Sequence, residues 1–182
     1  MAEFEVSAMN LAAMVRALQP GGLLEPVRAQ LKPATAAAID NPHGSRWHPG
    51  DVAVDLWETI VRVHGPERLE AMNLKLTADS FGPVVRPLVM VALALGGRSP
   101  ATVFSRLGDA SKVATRGVEV TWEPDGPSAG RVSFAYGREM PPVVVEYGWR
   151  GVMRFGEELT GKIFAFRFEP QSDRRFVFHV SW

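Results

Sequence analysis

The stretch from residue 118 to residue 182 decides the fold, because two pairs of alternating runs flank one long helical pattern. The four runs are Val118-Glu-Val-Thr-Trp122, Val132-Ser-Phe-Ala-Tyr136, Phe164-Ala-Phe-Arg-Phe168 and Phe176-Val-Phe-His-Val-Ser-Trp182. Each run places apolar or aromatic side chains on one face with a period of two, which predicts a β-strand. Turn formers join each pair, so we expect two hairpins in one antiparallel sheet with an aromatic face.

A helix is predicted between the two hairpins. Its apolar face comprises Val144, Tyr147, Gly148, Gly151, Val152, Phe155 and Leu159. Glycine costs about 1 kcal/mol in a helix interior, so two glycines three residues apart need a structural reason. We expect the backbone at Gly148 and Gly151 to approach the sheet closely.

The chain before residue 115 has a helical period instead. Apolar stripes predict helices over about 11–18, 23–31, 52–63, 69–76, 87–95 and 100–108. The stretch 34–50 is dense in turn formers and predicts a surface loop. The predicted fold class is α+β, a single domain over 1–182. Its N-terminal helical layer (about 7–108) packs on a C-terminal four-stranded antiparallel sheet (about 115–182) in ββαββ order.

The composition excludes several classes of protein. The chain has 182 residues, 46% of them hydrophobic, which suffices for one core. Its formal net charge of zero argues against nucleic-acid binding, and the absence of cysteine excludes disulfides and thiolate metal ligands. The first residues lack the features of a secretory signal, and the apolar stretch 88–95 is shorter than the roughly 20 residues that cross a bilayer. We expect a cytoplasmic protein without a membrane span.

The order of elements, helices followed by strand pair, helix and strand pair, resembles a ligand-sensing fold. The TRAPP subunits, the vinyl-reductase-type sensor domains and the heme nitric-oxide-binding domains share it. More closely, the chain resembles an uncharacterised paralogous family of myxobacterial proteins. The matching stretches are Val6 to Leu18, Gly65-Pro-Glu-Arg68, Glu146-Tyr-Gly-Trp-Arg-Gly151 and the closing Phe-x-Val-x-Trp182. That family has no assigned activity, so the resemblance implies a fold.

The departures from this resemblance bear on cofactors. Heme nitric-oxide sensors use a proximal histidine and a Tyr-x-Ser-x-Arg motif for the heme propionates. The nearest string here, Tyr136-Gly-Arg138, lacks the serine and the spacing. Vinyl-reductase-type sensors often carry metal-binding cysteines, which this chain lacks. The comparison implies no heme and no metal cluster, and we predict no cofactor.

Candidate catalytic and metal-binding side chains are sparse. His43 and His48 lie in one loop, and Asp51 and Asp55 follow, so a metal site can be drawn; a Gly- and Pro-rich loop is more typical of solvated histidines. His179 belongs to the polar face of the last strand. The chain has neither a Gly-x-Ser-x-Gly elbow nor a phosphate-binding glycine loop. We predict no metal site, and we predict that the protein is not an enzyme.

The aromatic residues give the candidate binding residues, Trp57, Tyr147 and Trp149. Tyr147 and Trp149 cannot both face the sheet, so at least one is expected at an interface, with Arg150 and Arg154 at its rim. The preferred hypothesis is a non-catalytic regulatory or adaptor domain that acts through a protein partner, as a homodimer. The alternative is a small-molecule sensor that holds an apolar ligand in a cavity between the helices and the sheet.

Overall fold

A layer of helices with three short strands forms the first part of the chain. The structure is a computed structural model that describes residues 2–81 and 99–182, together with Pro87 and Val91. The elements are β1 (Glu5–Ser7), α1 (Ala8–Leu18), α2 (Leu24–Arg28), α3 (Pro33–Asp40), β2 (Trp47–Pro49), α4 (Gly50–His64), α5 (Pro66–Leu76), α6 (Pro100–Ser105), α7 (Leu107–Ala114) and β3 (Thr115–Arg116). A 3₁₀ turn over Pro20–Gly22 follows α1, and a π-helical turn over Thr77–Phe81 continues α5.

The second part of the chain is the ββαββ unit expected from the alternating runs. Its elements are β4 (Val118–Pro124), β5 (Ala129–Tyr136), α8 (Pro142–Thr160), β6 (Ala165–Pro170) and β7 (Arg175–Ser181). The strands form a four-stranded antiparallel sheet in the order β4-β5-β7-β6. The predicted α+β fold class is confirmed.

Helix α1 shows how local sequence sets an element. The side chain of Ser7 accepts a hydrogen bond from the backbone N–H of Asn10 at 3.2 Å, which caps the helix. Leu11, Met14 and Leu18 share one face and are at most 1% exposed. Gly21 has a φ of 73°, which glycine adopts without strain and which turns the chain out of the helix.

Two apolar clusters hold the layers together, and α8 contributes to both. The first lies on the inner face of the sheet and includes Phe134, Phe176 and Phe178, with Phe4 from before β1. The second lies among α1, α4 and α5 and includes Val144 from α8. Helix α8 therefore lies between the sheet and the other helices, which explains its apolar residues on more than one side.

The helical part contains elements that the sequence did not predict. The expected loop 34–50 is wrong in part, because Pro33–Asp40 is helical and Trp47–Pro49 is a strand. Pro33 suits the first helical position, and the buried Thr35 and Ile39 fix the helix to the layer. The helix expected to end near residue 108 is followed by α7, which runs to Ala114. The helix predicted over 87–95 lies outside the described residues.

The small sheet β2-β1-β3 was also missed. Its strands pair over two or three residues, which is too short for a period of two to be recognised.

The glycine prediction is corrected at α8. A Cβ on Gly151 would meet the backbone oxygen of Glu70 and lie 2.8 Å from the Cβ of Asn73, so the close approach is to α5 and not to the sheet. A Cβ on Gly148 would meet no atom of the described residues within 4 Å. Gly151 is therefore needed for helix packing, whereas Gly148 faces a space beside α8 that the described residues leave open.

In the described part of the chain, no helix combines the length and apolar character needed to cross a bilayer.

Candidate functional site

The open space beside Gly148 belongs to a cavity between the helical layer and the sheet. The cavity has a volume of about 140 Å³. Its described wall is drawn from helices α1, α4, α5, α6, α7 and α8 and from strands β3, β4 and β5. Most of the lining side chains are aliphatic, aromatic or thioether groups, among them Phe4, Met140, Val145 and Phe155. A space of this character favours apolar molecules over water.

One wall carries a hydrogen-bonded aromatic pair. The indole Nε1–H of Trp149 donates to the hydroxyl oxygen of Tyr136 at 2.6 Å. Trp149 packs on Phe134 with ring centroids 4.4 Å apart, which fixes the indole against the sheet. Burial raises the pKa of the Tyr136 phenol, and this effect exceeds the lowering by the hydrogen bond from Trp149. Tyr136 is therefore a neutral phenol at physiological pH.

A second wall is formed by α1 and α4. Trp57 on α4 donates its indole N–H to the thioether sulfur of Met14 at 3.2 Å. A thioether is a weak acceptor, so this contact satisfies the indole only in part. Phe4 lies beside Trp57 with ring centroids 6.0 Å apart. This wall thus presents large apolar surfaces together with an incompletely satisfied donor.

The sequence-predicted binding residues divide into two sets. Trp57 and Trp149 line the cavity, and both are half-buried. Tyr147 is also half-buried, but it packs against the helical cluster and does not line the cavity. Neither indole has the fully exposed position that an anchor for a protein partner requires.

The two arginines lie on α8 outside the cavity. Arg150 pairs with Glu146 at 2.7 Å, and its guanidinium lies 5.3 Å from the centroid of the Tyr147 ring. Arg154 pairs with Glu70 on α5 and with Glu157 on α8. These contacts join α8 to α5 and to its own neighbouring turns. Their roles at a binding rim stay predictions.

The histidines do not converge on one another. His48 is buried with Nε2 2.8 Å from the carbonyl oxygen of Pro42, and His64 has Nε2 3.0 Å from the carbonyl oxygen of Leu23. His43 is exposed, in the turn before β2. Within the described ranges, no three His, Cys, Asp or Glu side chains are grouped to hold a metal ion.

Several cavity residues were missed by the sequence analysis. Asn10, Met14, Tyr136 and Met140 line the cavity but were absent from the predicted set. For Asn10 the sequence held a usable signal, because it is a polar residue one turn before Met14 on the buried face of α1. No such signal marked Tyr136, because an aromatic residue on an alternating strand is ordinarily a packing residue.

The sequence matches no protein-family model and no curated protein. Solved structures do match it over nearly its whole length. The Fe(II) unliganded H-NOX protein from K. algicida has a TM-score of 0.71 and 9% sequence identity, over 96% of this chain and 95% of that one.

Two further H-NOX structures give similar values. An oxygen-binding H-NOX domain related to soluble guanylate cyclases, in its oxygen complex, has a TM-score of 0.63 and 10% identity, over 96% of this chain and 94% of that one. A mutant of T. Tengcongensis H-NOX has a TM-score of 0.62 and 10% identity, over 96% of each chain. The chain therefore has the H-NOX-like fold, as the resemblance to heme nitric-oxide-binding domains predicted. Membership of the myxobacterial family stays a prediction.

The described residues of this chain do not fit the heme named for one of the H-NOX neighbours. The four histidines of the sequence are residues 43, 48, 64 and 179, and none of them lines the cavity. Cysteine is absent from the sequence, and the cavity phenol Tyr136 is held neutral by burial. The volume of about 140 Å³ is also below the roughly 300 Å³ at which sites for larger ligands begin. The donor set and the space instead suit a smaller, apolar molecule.

Proposed function

We propose that this chain is a non-catalytic sensor domain that binds a small apolar molecule in the cavity between its helical layer and its sheet. The observation that carries the proposal is the cavity of about 140 Å³ with a largely apolar wall. A comparable engineered cavity of about 150 Å³ in another protein stays dry and binds benzene or xenon. The ligand class is therefore a molecule of about that size, held chiefly by burial of its surface.

The position of the cavity supports sensing and not mere storage. Its wall includes α8, which contacts α5 through Gly151 and through the Arg154–Glu70 pair. A ligand in the cavity touches both layers, so it stabilises the arrangement in which they enclose it. The H-NOX neighbours share this layered fold, and one is described as an oxygen-binding domain, which is consistent with a sensing role.

This proposal replaces the adaptor hypothesis as the preferred function. The adaptor hypothesis required an exposed Trp57 or Trp149 as an anchor, and both indoles instead line the cavity. The protein partner and the homodimer stay predictions.

The test is binding of benzene and toluene to the purified protein, measured by calorimetry and by the shift in melting temperature. We expect saturable binding with a 1:1 stoichiometry and a rise in melting temperature with ligand concentration. The substitution Gly148→Leu places a side chain in the open space beside α8, so we expect it to abolish binding while the protein stays folded.

The matched control is Val143→Leu on the same helix, at a side chain that is 37% exposed. It changes an apolar side chain of α8 outside the cavity, so binding should persist. Absence of saturable binding by the wild-type protein, or binding that survives Gly148→Leu, would contradict the proposed site.

A further inference from the structure

The cavity wall contains a buried hydrogen-bond acceptor without a partner. Asn10 on α1 is 6% exposed and lines the cavity. Its side-chain oxygen Oδ1 is buried, and no group in the described part of the chain donates to it. A buried polar atom that lacks a partner costs about 1–3 kcal/mol, and most such atoms in native proteins are satisfied. Its presence in the wall of a ligand cavity needs an explanation.

Capping of α1 does not provide that explanation. The hydrogen bond from Asn10 to Ser7 uses the backbone N–H of Asn10, which any residue other than proline supplies. The amide side chain is free of that role. Leucine has as many side-chain heavy atoms as asparagine and would suit the apolar face formed with Leu11 and Met14, so packing by itself favours an apolar residue here.

The neighbouring group on this wall is also incompletely satisfied. Met14 lies one helical turn after Asn10, so the two side chains are neighbours on one face of α1. The sulfur of Met14 receives the indole N–H of Trp57 at 3.2 Å, a weak bond. An unpaired acceptor and a poorly paired donor therefore lie on the same wall of the cavity. A hydroxyl group, which donates one hydrogen bond and accepts others, complements both.

We propose that Asn10 is the polar anchor of the cavity and that the ligand is a small apolar molecule bearing one hydroxyl group. The hydroxyl donates its hydrogen to Asn10 Oδ1, and the indole N–H of Trp57 exchanges its weak thioether acceptor for the hydroxyl oxygen. The apolar remainder of the ligand occupies the space beside Gly148. This inference rests on the proposed function, because it specifies the chemistry of the molecule that the cavity holds.

The experiment compares phenol with toluene, which differ by a hydroxyl in place of a methyl group. Affinities of both are measured by calorimetry for the wild-type protein and for Asn10→Leu. We expect the ratio of phenol affinity to toluene affinity to fall about tenfold in the variant, because the hydroxyl loses its buried acceptor. Toluene should bind the variant as well as the wild type, and the variant should be no less stable.

The matched control is Ser111→Ala on α7. Ser111 also lines the cavity and is buried, but its hydroxyl already donates to the carbonyl oxygen of Gly108 at 2.8 Å. We expect the phenol-to-toluene ratio to be unchanged in this variant. Asn10→Ala removes the same amide without adding bulk. If Asn10→Leu misfolds, the ratio of phenol affinity to toluene affinity is measured for Asn10→Ala instead.

The outcomes separate the two proposals. If toluene binds and the ratio is the same in the wild type and in both Asn10 variants, the cavity is real and the anchor is refuted. A ratio that falls in Ser111→Ala and not at Asn10 would also refute it, because the polar contact would then lie on α7. If neither probe binds the wild-type protein, the proposed function fails and this inference fails with it.

Discussion

The phenol of Tyr136 shows how burial gives a single residue a measurable signature. Its ring is 6% exposed, and burial raises its pKa above the ordinary value of 10.0. The unfolded chain retains the ordinary value, so above pH 10 the unfolded state loses a proton that the native state keeps. The resulting stability is fully present below pH 10 and is lost as the pH rises toward the native pKa.

We predict that Tyr136→Phe weakens this alkaline loss of stability. At neutral pH the variant should be less stable by about 1 kcal/mol, because the Nε1–H of Trp149 loses its acceptor. Above pH 10 the difference in free energy of unfolding between the variant and the wild type should narrow by up to about 1.4 kcal/mol per pH unit. The measurement is urea unfolding at a series of pH values.

The control for this prediction is Tyr147→Phe. Tyr147 is the other of the two tyrosines in the sequence, and its replacement leaves the buried phenol of Tyr136 in place. This variant should keep the alkaline loss of the wild type. If the free energy of unfolding falls equally above pH 10 in the wild type and in Tyr136→Phe, the Tyr136 phenol is not the source of the alkaline loss.

At the scale of the element, helix α8 contains two glycines with opposite requirements. A Cβ at Gly148 has no described neighbour within 4 Å, whereas a Cβ at Gly151 would meet the backbone oxygen of Glu70 on α5. Alanine is the better helix former by about 0.5–1 kcal/mol wherever space allows it. An alanine substitution therefore tests helix propensity at residue 148 and the packing of α8 on α5 at residue 151.

We predict that Gly148→Ala stabilises the protein by about 0.5–1 kcal/mol. Gly151→Ala should destabilise it by about 1–3 kcal/mol, because α5 and α8 must move apart. Both values are measured as changes in the free energy of unfolding by urea. A stabilising alanine at residue 151 would show that α8 does not pack on α5 as described.

At the scale of the whole molecule, residues from both layers pack together in the apolar clusters. The cluster on the sheet contains Phe134 and Phe176 from strands together with Phe4 and Ala53 from the N-terminal part of the chain. Helix α8 extends this contact to the other helices through Val144. Apolar surface shared in this way couples the stabilities of the two layers.

We predict a single cooperative unfolding transition for residues 1–182, as one domain requires. Far-UV circular dichroism follows the helices, and near-UV circular dichroism follows the aromatic clusters, including Phe134 and Trp149. The two transitions in urea should coincide. Two separated transitions would show that the helical layer and the sheet are independent domains.

The sequence by itself determined the sheet, α8 and most of the helical layer. A period of two or 3.6 is a local property of the chain, so Val132, Phe134 and Tyr136 reveal their shared strand face without tertiary information. The short elements were less accessible. Helix α3 and strands β1 to β3 are held chiefly by their neighbours, and their local patterns are too brief to detect.

Only the tertiary structure decided the site. The cavity exists because described side chains from several separate elements leave space between the layers, and packing of that kind has no local signature. The same reason explains Gly151, whose neighbour is α5 and not the sheet. Sequence patterns show which face of an element is apolar, but only long-range packing determines what that face meets and where it leaves room for a ligand.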